Sequence, residues 1–114
     1  MRSLTVKQSA AALLAALVSS QASAYGWVAD AKVLQVRVDK NGKGMVIFDR
    51  PMTGSPPGCV IPYYANAMAF EGVNGRAVMA MALAAKAMGS SLTVYGAGTC
   101  SVYGSYVEDW EYGH

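Results

Sequence analysis

Asn74-Gly75-Arg76-Ala77-Val78-Met79-Ala80-Met81-Ala82-Leu83-Ala84-Ala85-Lys86-Ala87-Met88-Gly89-Ser90-Ser91-Leu92-Thr93-Val94-Tyr95 sets the architecture of this chain, because the periodicity changes inside it. Residues 76–88 are rich in strong helix formers and free of breakers. Asn74 suits the N-cap, and Gly89 suits the left-handed residue that commonly ends a helix, which predicts a helix over Gly75–Met88. From Ser91 the pattern alternates, with Leu92 and Val94 toward a core and Thr93 and Tyr95 outward, as in a half-buried strand.

Working toward the N-terminus, Lys32–Asp39 alternates Leu34, Val36 and Val38 with Gln35, Arg37 and Asp39, a second strand signature. Asn41-Gly42-Lys43-Gly44 supplies the positive φ of a tight turn, and Met45–Phe48 returns as the hairpin partner. Pro51–Gly58 reads as a loop, since proline lacks the donor a ladder needs. At least one of Cys59–Ile61 and Ala67–Phe70 forms a third strand, with a bend at Pro62. Toward the C-terminus, Gly96-Ala97-Gly98 turns the chain and Cys100–Val107 reads as the last strand, which Trp110 and Tyr112 either extend or fold back over. The fold class is α+β. Five antiparallel strands with one helix between strands three and four is the order of a small OB-like barrel; an open antiparallel sheet with one covering helix is the alternative.

The helix carries apolar residues on more than one side. Val78, Met81, Ala85 and Met88 share a stripe, while Met79 and Leu83 lie nearly opposite, and only Arg76 and Lys86 are charged. Met79 and Leu83 are therefore candidates for an oligomer interface, against the simpler reading that two exposed apolar side chains are ordinary.

Residues 1–24 have the three zones of a secretory signal peptide: Arg2 and Lys7, an apolar run from Ala10 to Val18, and the small-residue box Ala22-Ser23-Ala24. The run is too short to cross a bilayer, so no membrane span is expected, and residues 25–114 form one exported domain. Nine basic residues face seven acidic ones in the whole chain. Removing Arg2 and Lys7 balances them, which leaves no electrostatic footprint for nucleic acid. In an oxidising compartment Cys59 and Cys100 are expected to pair, a cross-link worth about 4 kcal/mol on the chain-entropy model.

Chemistry is sparse. Two cysteines and the single His114 do not make a zinc cage, so no metal or cofactor is expected. His114 sits at a terminus expected to fray, which argues against a catalytic base. Asp109 and Glu111 are separated by two and so share a strand face, but Glu108-Asp109-Trp110-Glu111 reads as a solvated end. Gly96-Ala97-Gly98 precedes a strand rather than a helix and is a turn, not a phosphate loop. Tyr and Trp outnumber Phe, and such rings offer a flat apolar face with a polar handle. Tyr103, Trp110 and Tyr112 gather near the acidic tail and are the candidate ligand-binding residues.

An early hairpin, a cysteine before an Ala-rich helix closed by Gly89, the strand Ser91-Leu92-Thr93-Val94-Tyr95 and a second cysteine after it resemble the receptor-binding B subunits of subtilase-cytotoxin and pertussis-like toxins and their small exported bacterial relatives. The resemblance lies in layout, and this chain is shorter, with one cysteine pair. It implies an OB-type barrel, a ring of copies with central helices, and outer faces that bind glycans; no sugar-contacting residue transfers. The expectation is an exported, non-enzymatic binding protein, periplasmic or extracellular, with a glycan or protein partner. The alternative is a periplasmic inhibitor or structural interaction domain.

Overall fold

The computed structural model describes residues 24–114. The expected signal peptide therefore lies outside the described residues except for Ala24. The elements are β1 (Gly26–Val38), a 3-10 turn (Lys40–Gly42), β2 (Gly44–Phe48), β3 (Thr53–Gly54), a 3-10 turn (Pro62–Tyr64), β4 (Ala67–Phe70), α1 (Gly72–Met88), β5 (Ser91–Gly96) and β6 (Glu108–Gly113).

The six strands form one mixed sheet in the order β2-β4-β6-β5-β1-β3, and an additional β1–β2 pairing returns the hydrogen-bonded circuit to its start. Long β1 makes this possible: Val33–Val38 pairs with β2, while Trp27–Lys32 pairs with β5. Two expectations are corrected here. The sheet is not wholly antiparallel, because β4 and β6 run parallel through Met68↔Glu108 and Ala69↔Asp109. It also has a sixth strand, because Thr53–Gly54, inside the expected proline-rich loop, pairs with Trp27 and Gly26 of β1.

The hairpin forms as expected, with Asn41 at φ 65° and Gly42 at φ 71°. Its facing differs. A register shift between Val33 and Gln35 interrupts the alternation, so Val33 is buried while Leu34 and Val38 are exposed. Leu92 and Val94 are buried, as their alternation predicts. The last strand is β6, not Cys100–Val107. That stretch turns instead, with Gly104 and Tyr106 at positive φ.

α1 starts at Gly72, so Asn74 is inside the helix and Glu71 stands at the N-cap without a side-chain cap bond. Gly89 ends it in the left-handed conformation, as expected. The helix buries Gly75, Val78, Ala82 and Ala85 against the main core of Val28, Val33, Val46, Phe48, Met68, Phe70 and Val94. A second cluster, Met45, Ala67, Ala69, Val102 and Val107, covers the other face of β2 and β4. Burial on both faces explains the uninterrupted apolar runs of those two strands. The Cys59–Cys100 disulfide joins the segments flanking this second cluster across 41 positions. Among the described residues no helix is long and apolar enough to cross a membrane.

Candidate functional site

β6 pairs with β4 through only two residue pairs, while Trp110, Tyr112 and Gly113 stay paired with β5. Beyond Asp109 a cleft of about 390 Å³ opens between β6 and the first turns of α1, lined by Glu71, Asn74 and Ala77 on one side and Trp110, Glu111 and Tyr112 on the other. Trp110 is half-buried and packs against the main core. Tyr112 is 55% exposed. Its ring stacks on Tyr95 with centroids 4.7 Å apart, and Tyr95 stacks on Trp27 at 6.4 Å. The strand registers Trp27↔Tyr95 and Tyr95↔Tyr112 place the three rings in one row. A ring held this way has already lost most of its rotamer freedom, so a ligand resting on it meets a smaller ordering cost.

β6 is fixed from its first two residues, which the sequence places in a solvated end and the structure buries. Glu108 is 1% exposed. Its Oε1 and Oε2 accept hydrogen bonds from the Gly26 amide at 3.1 and 3.0 Å, and Oε2 accepts a third from the Gly98 amide at 2.9 Å. Gly96 leaves the space for this carboxyl, since a Cβ there would run into it. Burial pushes the Glu108 carboxyl above its ordinary range despite the amide donors, with nearby Asp109 adding to the rise. Asp109 accepts from the Thr99 hydroxyl at 2.6 Å and from the Ser101 and Val102 amides at 2.7 and 2.9 Å. Buried carboxylates filled by backbone amides hold loops in place. Glu111, by contrast, is exposed.

Tyr103 lies apart from the cleft. Its hydroxyl donates to Asp39 Oδ2 at 2.5 Å, and Asp39 also receives Arg37, whose guanidinium reaches the Tyr64 hydroxyl at 3.1 Å. Arg37, then Tyr103, hold the Asp39 carboxyl below its usual range. Burial, then Asp39, pushes the Tyr103 phenol well above its own. Arg37 is raised by Asp39 and Tyr64. The group ties the end of β1 to the 62–64 turn and the loop after Cys100.

Of the three expected ligand-binding residues, Trp110 and Tyr112 therefore share one cleft and Tyr103 does not. Of the two expected interface residues, Met79 is half-buried against the core and Leu83 is 48% exposed. Sequence reasoning passed over Trp27, whose strand was expected to begin only at Lys32, and Glu71. Asn74 was assigned to a cap it does not make. His114 is not frayed: its amide and carbonyl both pair with Thr93, at 2.9 and 2.8 Å. Among the described residues no group of three or more His, Cys, Asp or Glu is placed to hold a metal ion. Comparison with protein-family models, with curated proteins and with solved structures finds no match for this chain.

Proposed function

We propose that this chain is an exported, non-enzymatic binding protein that takes carbohydrate in the cleft between β6 and α1. One observation carries the proposal: Trp110 and Tyr112, whose ring is pre-ordered on Tyr95, line a single open cleft with Glu71, Asn74 and Glu111. An aromatic face beside carboxylate and carboxamide groups suits a sugar, whose C–H face is apolar and whose hydroxyls need hydrogen-bond partners. The non-enzymatic part is supported by the use of Glu108 and Asp109, whose oxygens are already engaged by amide and hydroxyl donors. The Cys59–Cys100 disulfide is compatible with export.

The strand circuit β1-β2-β4-β6-β5, with α1 between β4 and β5, supports assigning the domain to the OB type. Ring formation, the other implication of the toxin-subunit resemblance, is supported by the outer side of α1, where Val73, Leu83 and Met88 are exposed and no acidic residue occurs. A glycan array tests the ligand class. The expected result is selective retention that Tyr112→Ala abolishes; retention of no glycan by folded protein rejects the proposal. Native mass spectrometry of the same sample reads the ring component, and a monomer removes it.

A further inference from the structure

Among the described residues Glu108 is a buried carboxylate without a cation. Its oxygens are met by the Gly26 and Gly98 amides alone, and neither ion pair among the described residues involves it. Among the described residues the charged side chain acting on it is Asp109, of the same sign. A buried carboxylate in that position costs stability that neutral amides offset only in part.

The chain also approaches Glu108 two residues beyond the bond expected to be cut. Ala24-Tyr25-Gly26 runs directly into the Glu108 site: the Gly26 amide donates to both carboxylate oxygens, and the Ala24 carbonyl lies against Gly98, where a Cβ would come within 2.5 Å of it. Gly26 also lacks a Cβ where one would approach Oε1 to 2.6 Å. Only Cα and the carbonyl carbon separate the nitrogens of Tyr25 and Gly26, a span under about 4 Å. The Tyr25 nitrogen is thus within about 7 Å of the Glu108 oxygens, by that span added to the Gly26 hydrogen bonds.

We infer that removal of the leader after Ala24 supplies Glu108 with its missing counter-charge, the new α-ammonium of Tyr25, so that processing strengthens the closed sheet. In the step itself the Ala24–Tyr25 peptide bond breaks. Water gives its hydroxyl to the Ala24 carbonyl carbon and a proton to the Tyr25 nitrogen, which protonates further to an ammonium as Ala24 leaves as a carboxylate. The inference stands on the expected cleavage and on Glu108, and is independent of what the cleft binds.

The test uses protein exported and purified after leader removal, with its N-terminus read by mass. A mature chain beginning anywhere but Tyr25 overturns the inference. Thermal unfolding then compares the free amine with the same protein blocked by Nα-acetylation, in the native sequence and in Glu108→Gln. Acetylation is expected to lower Tm by roughly 4–8 °C in the native sequence, the shift that a modest charge interaction gives in a domain this small, and to have no effect in Glu108→Gln. Equal melting of free and blocked native protein overturns it. Should Glu108→Gln fail to fold, NMR titration of the Tyr25 amine in native protein decides: a midpoint above the ordinary range of about 7.7–8.0 supports the ion pair, and a midpoint within that range overturns it.

Discussion

Tyr112 lies face to face with Tyr95, their ring centroids 4.7 Å apart and their planes inclined by 19°. Tyr112 lines the cleft beside α1 and Tyr95 supports its ring, so one contact bears on both stability and the proposed binding. Tyr112→Ala is expected to cost about 1 kcal/mol or less, the worth of a cross-strand aromatic pair, while removing glycan retention. Tyr95→Ala should weaken both, because Tyr112 then loses its backing. Chemical denaturation beside the glycan array separates the two effects.

Gly96→Ala is the sharper test of the Glu108 site. The added methyl meets a carboxyl that two amides hold in place through three hydrogen bonds. Overpacking of this kind costs roughly 1–3 kcal/mol, readable as a lowered denaturation midpoint. Gly104→Ala is the contrasting case: open space surrounds it, and its cost is that of a positive φ, which Gly96 does not have.

Reducing the disulfide should destabilise the domain by about 4 kcal/mol, since Cys59–Cys100 closes a loop of 41 positions. Cys59→Ser with Cys100→Ser gives the same quantity without reductant. An unchanged midpoint in urea would assign the holding of the 99–107 segment to Asp109 rather than to the sulfur bridge.

The Asp39 cluster predicts an acid-side dependence. Its carboxyl titrates lower in the folded chain than in the unfolded one, because Arg37 and Tyr103 favour the charged form. Its contribution is therefore present above the unfolded value, about 3.9, and is lost as pH falls through the folded value. The difference in Tm between native protein and Asp39→Asn should be constant near neutrality and shrink as pH falls below the ordinary carboxylate range. Spectroscopic titration should also find one phenol, absent in Tyr103→Phe, that stays protonated beyond the ordinary range of about 10.

Local sequence carried much of this fold. Gly89 ends α1 because only a residue tolerant of positive φ fits there, and Leu92 and Val94 face inward because β5 runs without interruption beside them. Interruption is where the pattern misled. Asp30 at φ 50° and the shift beside Leu34 bend β1 twice, and each bend changes which side chains point inward. Glu108 and Asp109 look solvated by composition. Their burial depends on amides at Gly26, Gly98, Ser101 and Val102, partners that only the closed sheet brings near. The cleft was half legible: aromatic content singled out Trp110 and Tyr112, but the Trp27-Tyr95-Tyr112 row arises from strand registers that no local pattern encodes.

The parallel contact of β4 with β6 is two residue pairs long, far shorter than the β1–β2 join. It is also the seam that completes the circuit. Spontaneous opening should begin there, exposing amides near Met68 and Ala69 to hydrogen exchange before those of β1. Beside that seam, the Cys59–Cys100 tether and the Val60–Tyr106 bridge keep the parted segments within reach of each other. The molecule can thus breathe along one short line next to its cleft and reclose in the same register, as a hinged clasp does.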